Sequence, residues 1–386
     1  MRVVHVITRL IVGGAQENTL ASVLGLRERA GVEVKLISGP TSGPEGSLEE
    51  EARQAPGLLE ILPWLVRPVH PWKDLRAWQA LTRRFRQLQP DLVHTHSGKA
   101  GVLGRLAARR AGVPLIVHTL HGPSFGPFQG GAANLIFRQA ERVAGRCTTH
   151  FVAVADSLIR QYLAAGIGRP EQYTRIYSGF DLRPYLAARN DWEWRRRWGI
   201  QPDEVVVGKI ARLFKHKGHE DLIRAAPRLV RQWPRMKFVL VGDGAWRGRW
   251  QAEVARLGLQ QHFLFAGLVP PAEVPRWVGI MDIVVHLSRR EGLPRALPQA
   301  LAAGRPVVAY DCDGAAEVCR EGETGFLLPV GADIAPAVLA LARDPAMRRR
   351  LGEAGREWVR REFDVHLMVE RIWELYQRLH SARQPA

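Results

Sequence analysis

Cysteine is scarce in this chain, with only Cys147, Cys312 and Cys319 among 386 residues. An odd and sparse set argues against a disulfide framework and indicates a reducing compartment. Cys312 and Cys319 also lack the paired spacing of a zinc site. We therefore expect a cytoplasmic protein without structural disulfides or structural zinc.

Long apolar runs are missing too: none reaches 18 residues, so no membrane-spanning helix is expected. The opening residues 1–7 hold a short apolar stretch with no cleavage site after it, which favours a buried strand over a signal peptide. The G-x-G-x-x-G fingerprint is absent, which disfavours a dinucleotide-dependent dehydrogenase. No zinc finger, helix-turn-helix or aromatic RNA-binding motif occurs, so nucleic acid is not the expected partner despite a formal charge of +17.

Short β-branched runs alternate with longer helical patterns, which predicts doubly wound parallel sheets. In the first half the predicted strands are Val3–Ile7, Glu33–Ile37, Leu58–Leu62, Leu92–His94, Leu115–Thr119 and Phe151–Val154. The pattern restarts with Val205–Ala211, Lys237–Val241, Phe263–Phe265, Ile283–His286 and Pro306–Ala309.

This restart predicts two Rossmann-like domains, since the chain is longer than one core usually supports. The expected bounds are 1–183 and 184–362, followed by an amphipathic C-terminal helix within 363–386 that packs back on the first domain. Ligands of open parallel sheets bind outside the carboxyl ends of the strands. We therefore expect the two sheets to face a common cleft, with functional residues at strand ends.

Two strand ends in the first domain carry candidate residues. Gly13 and Gly14 follow the first strand and precede a helix, which lets backbone approach a ligand, although paired glycines are often only a tight turn. His121, before Gly122, ends another strand and is expected to touch ligand, whereas His118 is expected to lie in the core.

His94 and His96 alternate on one strand, so both could face one metal ion. A third ligand is not evident from the sequence, and no metal is expected there.

In the second domain a buried strand ends in a basic loop, Arg212 to Gly218, that enters a helix. Arg212, Lys215 and Lys217 would converge with a helix N-terminus, an arrangement that favours a diphosphate without a metal. The alternative is a solvated basic loop; the position at a strand end favours the functional interpretation.

The segment from Ser288 to Gly304 follows another strand and carries one carboxylate, Glu291, in a glycine-bearing loop. A helix is predicted to start between Pro294 and Pro298 and to close at Gly304, because proline suits a first helical turn. Glu291 would then lie beside a helix N-terminus.

Together these motifs resemble the retaining glycosyltransferases of family 4, which have the GT-B fold. The resemblance covers nearly the whole chain: Gly13-Gly14-Ala15-Gln16-Glu17 is similar to the family's glycine loop, and His121-Gly122 to its strand-end histidine. Arg212 with Lys217-Gly218 is similar to its diphosphate-binding pair, and residues 288–304 to its E-x7-E region. The segment 311–318 is similar to the glycine-bearing stretch that follows.

One position departs from the family pattern. Gln299 stands eight residues after Glu291, where the family has a second glutamate that holds the ribose hydroxyls. A glutamine amide both accepts and donates, so the resemblance implies a ribose contact that is weaker than a carboxylate's.

The resemblance implies a retaining transfer from a nucleotide-diphosphate sugar, UDP being the commonest family donor, to a glycan or lipid-linked acceptor. Arg212 and Lys217 would stabilise the leaving diphosphate, His121 would hydrogen-bond the sugar, and Glu291 would position a sugar hydroxyl. Gly13, Gly14, Gly292, Leu293 and Pro294 complete the expected binding residues. No cofactor or metal is expected; we interpret Asp311-Cys312-Asp313 as a loop rather than a metal motif.

Two alternatives remain open at this level. A UDP-sugar 2-epimerase has the same two-domain fold but needs no acceptor, and a basic nucleic-acid-binding protein would account for the charge. Product analysis with the donor alone separates the first, and a shift assay with RNA or DNA the second.

The basic surplus is uneven: Trp64–Arg110 holds ten basic and two acidic residues. Within it, 73–88 places apolar and basic side chains on opposite sides at helical spacing. A solvated basic helix and the face of an anionic membrane fit this pattern equally well. Because the similar transferases often act on lipid-linked acceptors, we expect peripheral binding at the inner face of the cytoplasmic membrane. The predicted apolar side includes Leu75, Trp78, Leu81, Phe85 and Leu88.

Overall fold

The computed structural model describes residues 1–43, 46–96, 98–126 and 128–383. The chain divides into two compact units. Unit 1 comprises Met1–Phe180 and the chain from Val365 onward, and unit 2 comprises Asp181–Asp364. The boundary thus lies three residues before the expected one at 183, and the C-terminal helix is part of unit 1.

Unit 1 contains a seven-stranded parallel sheet in the order β3-β2-β1-β4-β5-β6-β7. Its strands are β1 (Arg2–Ile7), β2 (Glu33–Ser38), β3 (Leu59–Ile61), β4 (Leu92–His96), β5 (Leu115–Leu120), β6 (His150–Ala153) and β7 (Tyr173–Arg175). Its helices are α1 (Gly14–Arg27), α2 (Glu49–Arg53), α3 (Pro71–Leu88), α4 (Gly98–Ala111), α5 (Gly131–Gly145), α6 (Asp156–Ala164) and α15 (Val365–Ser381).

The C-terminal helix α15 packs on one face of this sheet together with α1. Its buried residues are Met368, Val369, Ile372, Leu375 and Tyr376, at the spacing that places side chains on one side of a helix. A side chain at Gly25 of α1 would overlap Val369, so glycine there permits the close approach of the two helices. Helices α3 and α4 cover the other face.

Unit 2 contains a six-stranded parallel sheet in the order β10-β9-β8-β11-β12-β13. Its strands are β8 (Val205–Ile210), β9 (Met236–Val241), β10 (Phe263–Gly267), β11 (Ile283–His286), β12 (Val307–Tyr310) and β13 (Gly325–Leu328). Its helices are α7 (Arg183–Leu186), α8 (Trp192–Arg197), α9 (His219–Gln232), α10 (Arg247–Arg256), α11 (Val274–Gly279), α12 (Ala296–Ala302), α13 (Ala335–Arg343) and α14 (Pro345–Glu362).

The doubly wound α/β class predicted from the sequence is confirmed. The sequence analysis missed β7 and β13, one edge strand in each sheet. Both are short, and most of their residues are only partly buried, so neither shows the continuous apolar run of a central parallel strand.

The prediction for the α3 region was partly wrong. Leu81 and Phe85 are buried, but Leu75 is 42% exposed, and Ala77 takes its place in the core. The helix starts at Pro71, two residues earlier than expected. Ala77, Leu81 and Phe85 recur every four residues and share one side of it, whereas Leu75 lies about 200° around the axis from Ala77.

Candidate functional site

The loop between β8 and α9 is held against the segment after β11. Gly218 has φ +68°, and a Cβ there would lie 1.9 Å from the Leu287 carbonyl oxygen, so only glycine fits. The His216 carbonyl accepts the Arg289 backbone N–H at 2.9 Å. These contacts bring two parts of the chain that are distant in sequence side by side.

Their result is an ion pair between Lys217 and Glu291, whose Nζ and Oε1 atoms are 2.5 Å apart. His286 Nε2 lies 3.3 Å from the same carboxylate oxygen. The Glu291 backbone N–H donates to Asp313 Oδ2 at 2.6 Å, so the loop that carries Asp313 fixes the position of Glu291. Burial alone would raise the pKa of Glu291, but the Lys217 charge and the nearby His286 ring outweigh it and hold that pKa below its usual value.

Behind this pair lie two polar side chains that the sequence analysis missed. Lys209 of β8 and His219, the first residue of α9, are each 1% exposed. Within the described ranges neither the Lys209 Nζ nor the two His219 ring nitrogens has a hydrogen-bond partner. The pKa of Lys209 is lowered to about 7, mainly by burial and in part by the Lys217 charge, while the Glu291 charge opposes the shift. A lysine inside the run Val205–Ile210 was the signal available in the sequence.

The other predicted residues of unit 2 lie on the same loops. Arg212 is exposed at the end of β8, with its guanidinium 5.2 Å from the centre of the Phe214 ring, and Lys215 is exposed as well. Neither takes part in the Lys217–Glu291 ion pair. Leu293 is 9% exposed.

Helix α12 begins at Ala296, inside the window predicted between Pro294 and Pro298, and ends at Ala302. The Gly292 carbonyl, just before it, accepts the Gly314 N–H at 3.0 Å. Gln299 is half-buried on α12, and in the part of the chain that the structure describes its side-chain amide forms no hydrogen bond. The amide is therefore available to a ligand.

In unit 1, Gly13 precedes α1 as its N-cap and Gly14 is its first residue, at the carboxyl end of β1. His121 follows β5 directly and is half-buried. His118 is buried on the opposite face of the sheet, where it lies 2.9 Å from Thr95 Oγ1, so it is a core residue.

His121 ends a continuous series of contacts beneath α15, which we call the histidine chain. From its far end, Thr119 Oγ1 lies 2.6 Å from His94 Nε2, and His94 Nδ1 lies 2.5 Å from the Tyr376 hydroxyl. That hydroxyl is 3.3 Å from His5 Nε2. His5 Nδ1 is then 2.9 Å from His96 Nε2, and His96 Nδ1 is 3.0 Å from His121 Nε2.

The chain forms because strand side chains alternate between faces. His5 of β1, His94 and His96 of β4 and Thr119 of β5 therefore share the face that α15 covers. His5 pairs with His94 in the sheet register, and His96 with Thr119.

The sequence analysis found no third ligand beside His94 and His96, and this was wrong. His5 lies next to both, and nitrogens of the three rings lie within 4.8 Å of one another. Every ring nitrogen of these three side chains, however, already has a hydrogen-bond partner in the histidine chain. The polar groups are satisfied without an ion.

Comparison with known proteins assigns both units. Residues 12–183 match the family model described as Glycosyltransferase Family 4, and residues 190–358 match Glycosyl transferases group 1. A GDP-mannose-dependent alpha-mannosyltransferase of Mycobacterium tuberculosis is 32% identical over 294 residues, covering 72% of each chain. The chain belongs to glycosyltransferase family 4.

A further relative and a solved structure are also similar to this family 4 protein. The UDP-Gal:alpha-D-GlcNAc-diphosphoundecaprenol alpha-1,3-galactosyltransferase of Escherichia coli is 27% identical over 325 residues, which cover 82% of both chains. The crystal structure of Anabaena Alr3699/HepE in complex with UDP-glucose has a TM-score of 0.81 at 24% identity, covering 98% of this chain and 99% of that one. The GT-B fold is therefore confirmed.

The family 4 assignment establishes a nucleotide-sugar-dependent glycosyltransferase and favours neither the epimerase nor the nucleic-acid-binding alternative. No helix among the described residues has the length and apolarity needed to cross a bilayer.

Proposed function

We propose that this family 4 transferase moves a sugar from a UDP-sugar to a glycan or lipid-linked acceptor of the cell envelope, with retention at the anomeric carbon and without a metal ion. The observation that carries the proposal is the Lys217–Glu291 pair at the start of α9. The E. coli relative named for UDP-Gal and a diphosphoundecaprenol acceptor supports the substrate classes, as does the Staphylococcus aureus relative named for capsular polysaccharide biosynthesis.

The chemistry follows from the charges in unit 2. Cleavage of the anomeric bond builds negative charge on the leaving diphosphate and oxocarbenium character on the sugar. Lys217, Arg212 and the free N–H groups at the start of α9 provide fixed positive charge for the diphosphate, so no metal is needed. Glu291 is held ionised by Lys217 and His286, and it accepts a hydrogen bond from a sugar hydroxyl.

His121 donates a hydrogen bond to the sugar, and the Gln299 amide binds the ribose hydroxyls. No covalent nucleophile is required if the acceptor hydroxyl attacks on the face that the diphosphate leaves, with its proton passing to the leaving phosphate oxygen. Gly13 and Gly14 carry no side chain, so the protein backbone beside α1 can approach the substrate closely.

The test is a transfer assay with UDP-, GDP- and ADP-sugars and membrane-extracted lipid-linked acceptors, with the product anomer determined by NMR. Transfer from UDP-sugars that retains the anomeric configuration and persists in EDTA is expected. An inverted product, or activity that EDTA abolishes and magnesium restores, would overturn the mechanism. Transfer from GDP-mannose alone would overturn the assignment of a UDP-sugar donor. GDP-mannose is the alternative donor, because two relatives are named for it.

We further propose that unit 1 binds an anionic membrane through the start of α3. Val69, Trp72 and Leu75 are 68%, 60% and 42% exposed, an apolar patch next to the basic side of the helix. The Arg76 guanidinium lies over the rings of the exposed Trp72 and the partly buried Trp64, at 5.4 and 4.8 Å. Apolar aromatic groups beside arginines suit the interface of an anionic bilayer.

Co-sedimentation with anionic and neutral vesicles at low and high salt tests this surface. Exposed Arg83 and Arg86 of α3, both changed to glutamate, should weaken binding to anionic vesicles by tenfold or more, since each basic residue contributes about 1 kcal/mol. The matched control changes exposed Arg349 and Arg350 of α14 in unit 2. Equal losses in both variants would show a general charge effect and no specific surface.

A further inference from the structure

The histidine chain contains only neutral rings. Burial lowers the pKa of His5 and of His121 to about 3, and it lowers those of His94 and His96 well below the usual value. Burial raises the pKa of Tyr376, so its hydroxyl keeps its proton. A neutral imidazole has one N–H donor and one bare nitrogen that accepts.

This rule couples every contact in the chain. A ring that accepts at one nitrogen must donate from the other, so the direction of one hydrogen bond sets the direction of the next. Only two fully ordered arrangements exist. In one, all four histidines carry the proton on Nδ1; in the other, all four carry it on Nε2.

The far end of the chain decides between them. Thr119 is 3% exposed, and among the described residues its hydroxyl has one hydrogen-bond partner, the Nε2 atom of His94. A buried hydroxyl proton without an acceptor is more costly than an unused lone pair, so Thr119 donates. His94 then donates from Nδ1 to the Tyr376 hydroxyl, which in turn donates to His5 Nε2. His5 donates from Nδ1 to His96, and His96 donates from Nδ1 to His121.

We propose that the histidine chain holds His121 as a neutral ring protonated on Nδ1, so that it offers an N–H donor to an oxygen of the nucleotide sugar. His96, His5 and Tyr376 are thus positioning residues. Helix α15 takes part through Tyr376, which lies 255 residues after His121 in the sequence. The inference rests on the proposed role of His121 at the donor sugar, but the arrangement of protons can be measured without any substrate.

Two-bond ¹⁵N–¹H correlation spectra of the unliganded full chain, labelled with ¹⁵N-histidine, report which ring nitrogen is protonated. We expect His5, His94, His96 and His121 all to be Nδ1–H, the minor form of histidine in water. Couplings across the N–H···N bonds should connect His5 to His96 and His96 to His121. Four Nε2–H rings, a mixed pattern or a charged ring would overturn the proposal, as would displacement of these protons by one equivalent of zinc.

Tyr376→Phe removes the hydroxyl that joins His94 to His5. Without that donor His5 is free to take either form, so His121 should show a measurable Nε2–H fraction. The matched control is Tyr162→Phe, another fully buried tyrosine of unit 1 outside the chain. Thr119→Ser keeps the hydroxyl and should keep all four Nδ1–H rings. An unchanged His121 in Tyr376→Phe would overturn transmission along the chain.

The transfer assay separates this inference from the proposed function. Tyr376→Phe should lower kcat/KM about threefold to tenfold, and Tyr162→Phe less than twofold. A shifted His121 tautomer with unchanged kcat/KM would confirm the chain and overturn the role of His121 at the sugar. No transfer by the wild-type protein would contradict the proposed function alone, since the spectra stand without it.

Discussion

Strands β1 and β8 come first along the chain in their respective units and lie in the interior of their sheets. Each carries a buried titratable side chain near its carboxyl end, His5 in unit 1 and Lys209 in unit 2. The two have opposite surroundings. Both ring nitrogens of His5 have partners, whereas within the described residues the Lys209 amine has none and lies in reach of Lys217 and Glu291. On these two strands, unit 1 therefore buries a neutral ring with both nitrogens hydrogen-bonded, and unit 2 buries an amine without a hydrogen-bond partner among the described residues.

The difference shows that one topology supports two kinds of polar interior. A closed network of neutral groups mainly rigidifies a structure, while unpaired buried polar groups are costly and point to a binding role. The comparison predicts that unit 1 responds to acid through its histidines. Unit 2 should respond to changes in its charged residues.

The largest effect expected is the loss of unit 1 stability in acid. Unfolded histidine takes up a proton near pH 6.5, but the rings of His5 and His121 stay neutral until about pH 3. Between these values the unfolded state binds more protons, so the free energy of unfolding falls as pH falls. Each ring contributes at most about 1.4 kcal/mol per pH unit, and His5 and His121 together should lower the free energy of unfolding by about 4 kcal/mol between pH 7 and 5.

Urea titrations followed by ¹⁹F NMR of fluorotryptophan distinguish the units, with Trp373 reporting unit 1 and Trp277 unit 2. The free energy of unfolding of unit 2 should fall less in acid, because unit 2 has fewer histidines whose pKa is lowered by burial. These are His219 and His286. Between pH 7 and 8 the urea midpoint of unit 1 should stay unchanged. An equal fall in the unfolding free energies of the two units would contradict the difference between their buried polar groups.

The next effect tests the charges of unit 2. Lys217→Ala and Arg212→Ala should each lower kcat/KM roughly tenfold to a hundredfold, because a charge-assisted hydrogen bond is worth about 1.5–3 kcal/mol. The control is Arg228→Ala, whose ion pair with Asp333 is half exposed and should change kcat/KM less than twofold. Normal kcat/KM in both site variants would mean that the diphosphate binds elsewhere.

Lys209→Met should stabilise unit 2 at pH 7 by about 1–4 kcal/mol, since an apolar side chain removes a buried group without a partner. Above pH 7 the folded lysine is neutral while the unfolded one keeps its proton to about 10.5, so the wild type gains stability with pH and the difference shrinks. Lys237→Met on the neighbouring β9, whose amine bonds the Gln261 carbonyl, is the control and should not stabilise. Urea midpoints at pH 7 and 9.5 give both values.

The smallest effect concerns Gln299. Gln299→Glu should retain transfer and bind the nucleotide twofold to tenfold more tightly, about 0.5–1.4 kcal/mol, because a carboxylate accepts from both ribose hydroxyls. Calorimetric titration with UDP measures this change in affinity.

Glu291→Gln should abolish most transfer with the fold retained. If Gln299→Glu is inactive and Glu291→Gln active, the two residues have been assigned to the wrong roles.

Much of this could be predicted from local sequence. Runs such as Val205–Val207 indicate buried parallel strands, because apolar β-branched side chains suit a sheet covered on both faces. Strand ends then locate Gly13, His121, Lys217 and Glu291, since loops at the carboxyl ends of parallel strands carry the binding residues.

Tertiary structure alone decided which of these residues meet. Lys217 and Glu291 are 74 residues apart, and only the close packing at Gly218 brings them into contact. His5, His94 and Tyr376 come from β1, β4 and α15, and no short-range pattern records which sheet face a distant helix will cover. Sequence periodicity fixes the face on which a side chain lies, but its partner across that face depends on strand order and helix docking, which arise from packing of the whole unit.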